Sequence, residues 1–206
     1  MDLFDFNISE VITRAIVVII SLTVHEFSHG LASKIQGDKT PEEYGRLTLN
    51  PAAHIDPAGL ISLMIFKFGW AKPVPISSYN YKNKKAGIII TSIAGPISNL
   101  LLAFFTVITI GKANPQDQFI QSFLLELFWI NINLAVFNLL PIPPLDGSKI
   151  FAEIFGGKIA EFIYKIEGKG TIILFLLLWL EPVRNILLIM MIYVNNIIVD
   201  LAKIFI

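Results

Sequence analysis

The chain has 206 residues, of which 54% are hydrophobic and only 16% charged, a balance far from that of a water-soluble domain. Its 16 basic and 16 acidic side chains cancel, which removes the positive field that nucleic-acid binding needs and sets DNA and RNA aside as partners. With no cysteine, disulfides, thiolate nucleophiles and thiolate metal ligands are excluded, and any metal must be held by Asp, Glu or the three histidines His25, His29 and His54.

The start is acidic (Asp2, Asp5, Glu10) and lacks a basic n-region and a small-residue cleavage site, so no cleavable signal peptide is expected and the first helix is expected to stay as an anchor. Asn7-Ile8-Ser9 fits a glycosylation sequon, a pattern short enough to arise by chance. Residues 8–34 read as a long helix whose uncharged stretch 15–24 runs into His25, Glu26 and His29 at or near membrane depth. There, each charged residue costs about 2.5 to 3.5 kcal/mol on insertion scales, so the cluster demands a purpose.

Residues 37–81 are rich in Pro and Gly and enclose an apolar run, 59–69, broken by Lys67 and too short to span; it reads as a half-inserted or re-entrant element. Residues 70–76, with Pro73 and Pro75, read as an edge strand or extended segment. Residues 86–110 carry no charge and 118–145 only Glu126, each long enough to cross a bilayer. Residues 156–170 read as an amphipathic surface helix on the cytoplasmic side. Beyond it, 171–180 and 185–199 are uncharged and separated by Glu181, Pro182 and Arg184, and read as two further helices joined by a turn or kink.

The expected fold is therefore an all-α polytopic membrane protein of about five spanning helices plus a re-entrant or short β element. It forms one membrane-embedded domain over 1–206, with a core at 8–147 and C-terminal helices at 148–206. If the short run returns to its own side, Lys34, Lys39, Arg46, Lys67, Lys72, Lys82, Lys84 and Lys85 share a side with Lys149, Lys158, Lys165 and Lys169. By the positive-inside rule that side is the cytoplasm and the N-terminus lies outside.

His25-Glu26-Phe27-Ser28-His29 is a His-Glu-x-x-His pattern within the first helix, where residues four apart share a face and can bind one zinc ion together, with Glu26 beside that face. Zinc lowers the pKa of its bound water to about 7, and an adjacent carboxylate can take the proton as the water attacks a carbonyl. A catalytic zinc takes three protein ligands, so the histidines need a partner. Asp146 follows three prolines that break the helix after residue 138, which delivers a carboxylate near membrane depth; His54 and Asp56 sit in a loop able to fold back. Asp146 is preferred, because a buried carboxylate needs a cation and zinc provides one.

The pairing of His25-Glu26-x-x-His29 with a distant Asn-x-x-Pro-x-Pro-Pro-Leu-Asp-Gly at 138–147 resembles the site-2 protease family of intramembrane zinc metalloproteases. Gly95-Pro96, Asn99, the run Gly45-Arg46-Leu47-Thr48-Leu49-Asn50-Pro51 and His54-Ile55-Asp56-Pro57 resemble its small prokaryotic branch, so the likeness covers 24–147. The resemblance implies a three-helix catalytic core, one Zn2+ bound by His25, His29 and Asp146, Glu26 as general base and then acid, and a strand-like embedded segment near 55–76. It implies hydrolysis of transmembrane or membrane-anchored substrates, in regulated intramembrane proteolysis or remnant peptide clearance, in a prokaryotic plasma membrane.

A substrate helix must unwind before its carbonyl is accessible, so residues 70–76 are expected to pair with it as a strand, and the Asn138 amide to hold substrate backbone or the developing oxyanion. Asn99, on the face of Gly95, is expected to pack helices through an interhelical hydrogen bond. His54 is expected either as a loop histidine or, near the zinc, as a partner of its ligands or a substrate-binding group. The rival classes are a catalytically inactive membrane scaffold and a metal or ion transporter; the scaffold should lack a reactive position and the transporter should show internal duplication, and neither feature is found.

Overall fold

The computed structural model describes residues 8–66 and 70–206; Asp2, Asp5, Asn7, Lys67 and Gly69 lie outside them. In chain order, α1 (Ile8–Gln36, 29 residues) is followed by the single turn α2 (Thr40–Glu43), by α3 (Pro57–Phe66, 10 residues) and by α4 (Lys84–Ala113, 30 residues). Then come α5 (Gln118–Asn138, 21 residues), three helices of 10 residues each, α6 (Asp146–Phe155), α7 (Gly157–Ile166) and α8 (Gly170–Trp179), and last α9 (Glu181–Ala202, 22 residues). Four of these, α1, α4, α5 and α9, are long and apolar enough to cross a membrane.

Local chemistry sets the boundaries. α1 ends because Gly37 takes φ 114°, which favours glycine, while its N–H and that of Asp38 return to the carbonyls of Lys34 and Ser33 at 3.0 and 3.1 Å. Asn83 caps α4 through the Ala86 N–H, and Asp117 caps α5 through the Ile120 N–H. Pro141, Pro143 and Pro144 stop α5 from continuing and turn the chain into α6.

α1, α4 and α5 pack against one another as the expected three-helix core. An apolar cluster joins α5 (Phe128, Ile132, Val136) to Ala103 of α4, Leu174 of α8 and Leu187 and Ile198 of α9. Outward faces such as Leu101 and Phe105 on α4 and Ile189 on α9 are apolar and exposed, as suits lipid.

The helix expected at 171–180 and the extended segment expected at 70–76 are both present, the first short of a full span and the second without a strand. Residues 171–180 form only α8, which rises about 15 Å, half of a hydrocarbon core of about 30 Å. It stops at the extended Leu180 ahead of Pro182, and Arg184 caps the carbonyl of Trp179 at 2.8 Å. Residues 70–76 form no strand; one isolated antiparallel bridge joins Ile55 and Ala71, with the Lys72 N–H donating to His54 C=O at 2.9 Å. Pro73 and Pro75 lack the N–H groups that a ladder would need. The surface helix expected at 156–170 is α7 followed by a short 3-10 turn, set off from α6 by Gly156 and Gly157 at φ 60° and 51°.

Candidate metal centre and active site

On α1, His25 and His29 stand one turn apart and both rings are buried, with their Nε2 atoms 3.0 Å from each other. α4 lies directly beneath them. Thr91, Gly95 and Asn99 recur at four-residue spacing on the α4 face that meets α1. A Cβ on Gly95 would lie 2.5 Å from His29 Nε2 and 2.6 Å from His25 Nε2, so only glycine leaves room for both rings.

The outer partners fix the tautomers. His29 Nδ1 is 2.7 Å from the Thr91 carbonyl, which can only accept, so Nδ1 carries the hydrogen. The Asn99 amide nitrogen donates to Asn131 Oδ1 at 2.7 Å and to the Ser21 carbonyl at 3.1 Å, which turns Asn99 Oδ1 toward His25 Nδ1 at 2.7 Å. His25 Nδ1 is again the donor. Both Nε2 atoms therefore present lone pairs to the same point.

The prolyl turn after α5 brings Asp146, the first residue of α6, to that point, with Oδ2 3.3 Å from His25 Nε2 and 3.2 Å from His29 Nε2. Gly147 admits this approach, because a Cβ there would meet the Leu139 carbonyl. Oδ2 is buried and receives no hydrogen bond. Three acceptors face one another with no hydrogen among them, an arrangement that repels itself unless a cation sits at its centre. Corners of a tetrahedron with bonds of about 2.0–2.1 Å lie about 3.3 Å apart, so the spacing also fits zinc. Among the described residues these three form the group with metal-ligand geometry.

Glu26 is half-buried beside the cluster, and its Oε2 accepts the Val74 N–H at 2.8 Å. His25 and Glu26 open onto a cavity of about 1060 Å³ also bordered by Trp70, Ala71, Asn133 and Asn138. The Asn138 amide spends one N–H on the Leu134 carbonyl at 2.9 Å, which leaves its second N–H and its oxygen. His54 and Asp56 are not in the three-donor group. The His54 Nε2–H donates to Thr48 C=O at 2.8 Å, and Asp56 caps α3 through the Gly59 N–H at 2.9 Å.

Asn131, Thr91, Arg46 and Asp38 were not singled out from the sequence for the parts they take. Asn131 had a legible mark, an amide in the middle of an apolar helix, and the structure buries it fully. Thr91 acts through its backbone carbonyl, which leaves no trace in a side-chain pattern.

The profile of peptidase family M50 matches residues 104–178, which include Asp146. Three relatives share the name "Putative zinc metalloprotease". YwhC of Bacillus subtilis (strain 168) is 37% identical over 84% of this chain and 82% of its own length. The chain belongs to peptidase family M50, the site-2 proteases. Rip2 of Mycolicibacterium smegmatis is 34% identical over 63% of this chain and 52% of its own. MJ0611 of Methanocaldococcus jannaschii is 37% identical over 59% and 63%. No solved structure matches the chain. As a member of the M50 family the protein is a multi-pass integral membrane zinc metalloprotease, in keeping with its four long apolar helices.

Proposed function

We propose that His25, His29 and Asp146 hold the zinc ion and that Glu26 is the general base of an enzyme cutting transmembrane or membrane-anchored polypeptides. The observation that carries this is the meeting of two Nε2 lone pairs and an unpartnered carboxylate oxygen at one buried point. Zinc supplies Lewis acidity toward the attacking water and the scissile carbonyl. Glu26, anchored at Oε2, takes the water proton at Oε1 as the oxygen bonds to the carbonyl carbon, then hands it to the amide nitrogen as the C–N bond breaks.

The substrate must unwind to expose its carbonyl. Ala71 supports a place for it: a bridge made through the residue after it directs its own N–H and C=O away from Ile55, toward a free edge beside the cavity. Asn138, with one N–H and its oxygen uncommitted, is placed to hold the substrate backbone or the oxyanion. We further propose one domain, with α8 walling the same cavity through Leu174 and Phe175. α3 and α8 enter the bilayer partway, the lysine-rich side faces the cytoplasm of a prokaryotic cell with the N-terminus outside, and the physiological role is regulated intramembrane proteolysis or clearance of remnant peptides.

Zinc analysis together with cleavage of a synthetic transmembrane peptide tests this reading. Glu26→Gln is expected to keep about one zinc per chain and lose cleavage, and Asp146→Ala to lose the metal. Full zinc in Asp146→Ala, or undiminished turnover in Glu26→Gln, would end it.

A further inference from the structure

The segment that meets Glu26 is extended, contains two prolines and belongs to no sheet, so something else must hold Val74 in place. Its fastenings are specific. Arg46 Nη2 donates to the Lys72 carbonyl at 2.6 Å and to the Pro73 carbonyl at 3.2 Å. The Lys72 N–H goes to the His54 carbonyl at 2.9 Å, and the His54 ring is itself tied to Thr48 at 2.8 Å. The next backbone donor, Val74 N–H, reaches Glu26, and the buried Val74 side chain lies against α1, where a Cβ on Gly30 would be 3.4 Å from it.

Arg46 is an odd residue to spend on this if stability were the only purpose. It is buried, its Nε finds no hydrogen-bond partner, and it makes no ion pair with any described carboxylate. A buried guanidinium compensated only by carbonyl dipoles is a poor stabiliser compared with an apolar side chain of like volume. What it offers is a planar, always-charged group whose Nη2 holds two successive carbonyls.

We propose that Arg46 is a positioning residue for the hydrolytic reaction: by clamping the carbonyls of Lys72 and Pro73 it presents the Val74 N–H to Glu26 Oε2 and so orients the other carboxylate oxygen toward the attacking water. The inference rests on Glu26 being the base. With Oε2 held, Oε1 faces a narrow range of directions; released, the carboxylate samples rotamers that do not meet the water, and the loss falls on turnover rather than on metal binding.

The test uses full-length, zinc-loaded protein in lipid nanodiscs and a synthetic transmembrane peptide that the wild type cleaves. Arg46→Ala is expected to keep its zinc, to lose at least tenfold in kcat with KM changed less than threefold, and to show faster backbone hydrogen exchange in the peptide covering residues 72–77. Arg46→Lys, with a flexible ammonium in place of the planar guanidinium, is expected to fall between the two, and added guanidinium to restore part of the Arg46→Ala rate. Wild-type kcat in Arg46→Ala despite faster exchange overturns the proposal, as does a defect confined to KM. If Arg46→Ala does not fold, Arg46→Lys decides: full kcat with exchange raised at residues 72–77 overturns it, and reduced kcat with zinc retained supports it. Glu26→Gln is run alongside, and if that variant still cleaves, the base assignment fails, whatever Arg46 does.

Discussion

The imidazoles of His25 and His29, the proposed ligands, are made specific by what stands behind them. Asn99 accepts from His25 while its amide nitrogen is committed to Asn131 and Ser21, and all three partners are buried, so the donor direction is locked. Replacing Asn99 by Leu keeps the volume but frees the His25 tautomer and strands the Asn131 oxygen. Zinc affinity, read by competition with a chelator, is expected to drop about 10- to 100-fold. Gly95→Ala is a sterner case. Its Cβ would sit 2.5 Å from His29 Nε2, so the rings must leave the position they share with Asp146, and zinc content should fall well below one per chain while helical circular dichroism is retained. The proposed ligand residues were legible because His-Glu-x-x-His and the Asp after a proline run are side-chain patterns with a fixed spacing. Contacts favour Asp146 over the pair His54 and Asp56, since the latter two have local duties at Thr48 and Gly59.

At the scale of elements, the long helices were plain from uncharged runs, and the irregular parts were not. A run of ten uncharged residues at 171–180 looks like the core of a span, but its true length depends on where the chain turns, and Leu180 with Pro182 ends α8 early. The segment after α3 was readable as extended and proline-interrupted, yet its fastening to Arg46, Glu26 and Asp38 depends on residues 26 to 48 positions away, beyond any local pattern. Its proposed role gives a sharp prediction. Ala71→Pro removes the N–H at the free edge and leaves its carbonyl, so kcat/KM for a transmembrane peptide should fall at least tenfold with zinc content unchanged, whereas Ala71→Gly should retain most of the activity. Equal rates for the two variants would remove Ala71 from substrate pairing.

Across the whole molecule, one buried carboxylate links the loops on the lysine-rich side to the helices that carry the proposed metal site. Asp38 is fully buried, yet it accepts the N–H of Ser77, the N–H and hydroxyl of Thr40, the Asn80 amide and the Ser33 hydroxyl. Ser33 also meets Tyr81 Oη, which donates to Thr91 Oγ1, and the carbonyl of Thr91 holds His29. Burial alone would push the Asp38 carboxyl up, but these hydrogen bonds, led by Ser77 and Thr40, outweigh it and lower the pKa from 3.8 to about 2. Because the folded value lies below the unfolded one, the charged form stabilises the fold fully above about pH 4, and that contribution is lost as pH falls from about 4 through 2. Asp38→Asn should therefore lower the melting temperature at neutral pH and flatten its dependence on pH between about 4 and 2, measured by thermal unfolding in nanodiscs. An Asn variant that melts like the wild type at neutral pH, with the same acid slope, would show that the acid sensitivity arises elsewhere and that these loops are held by their other contacts.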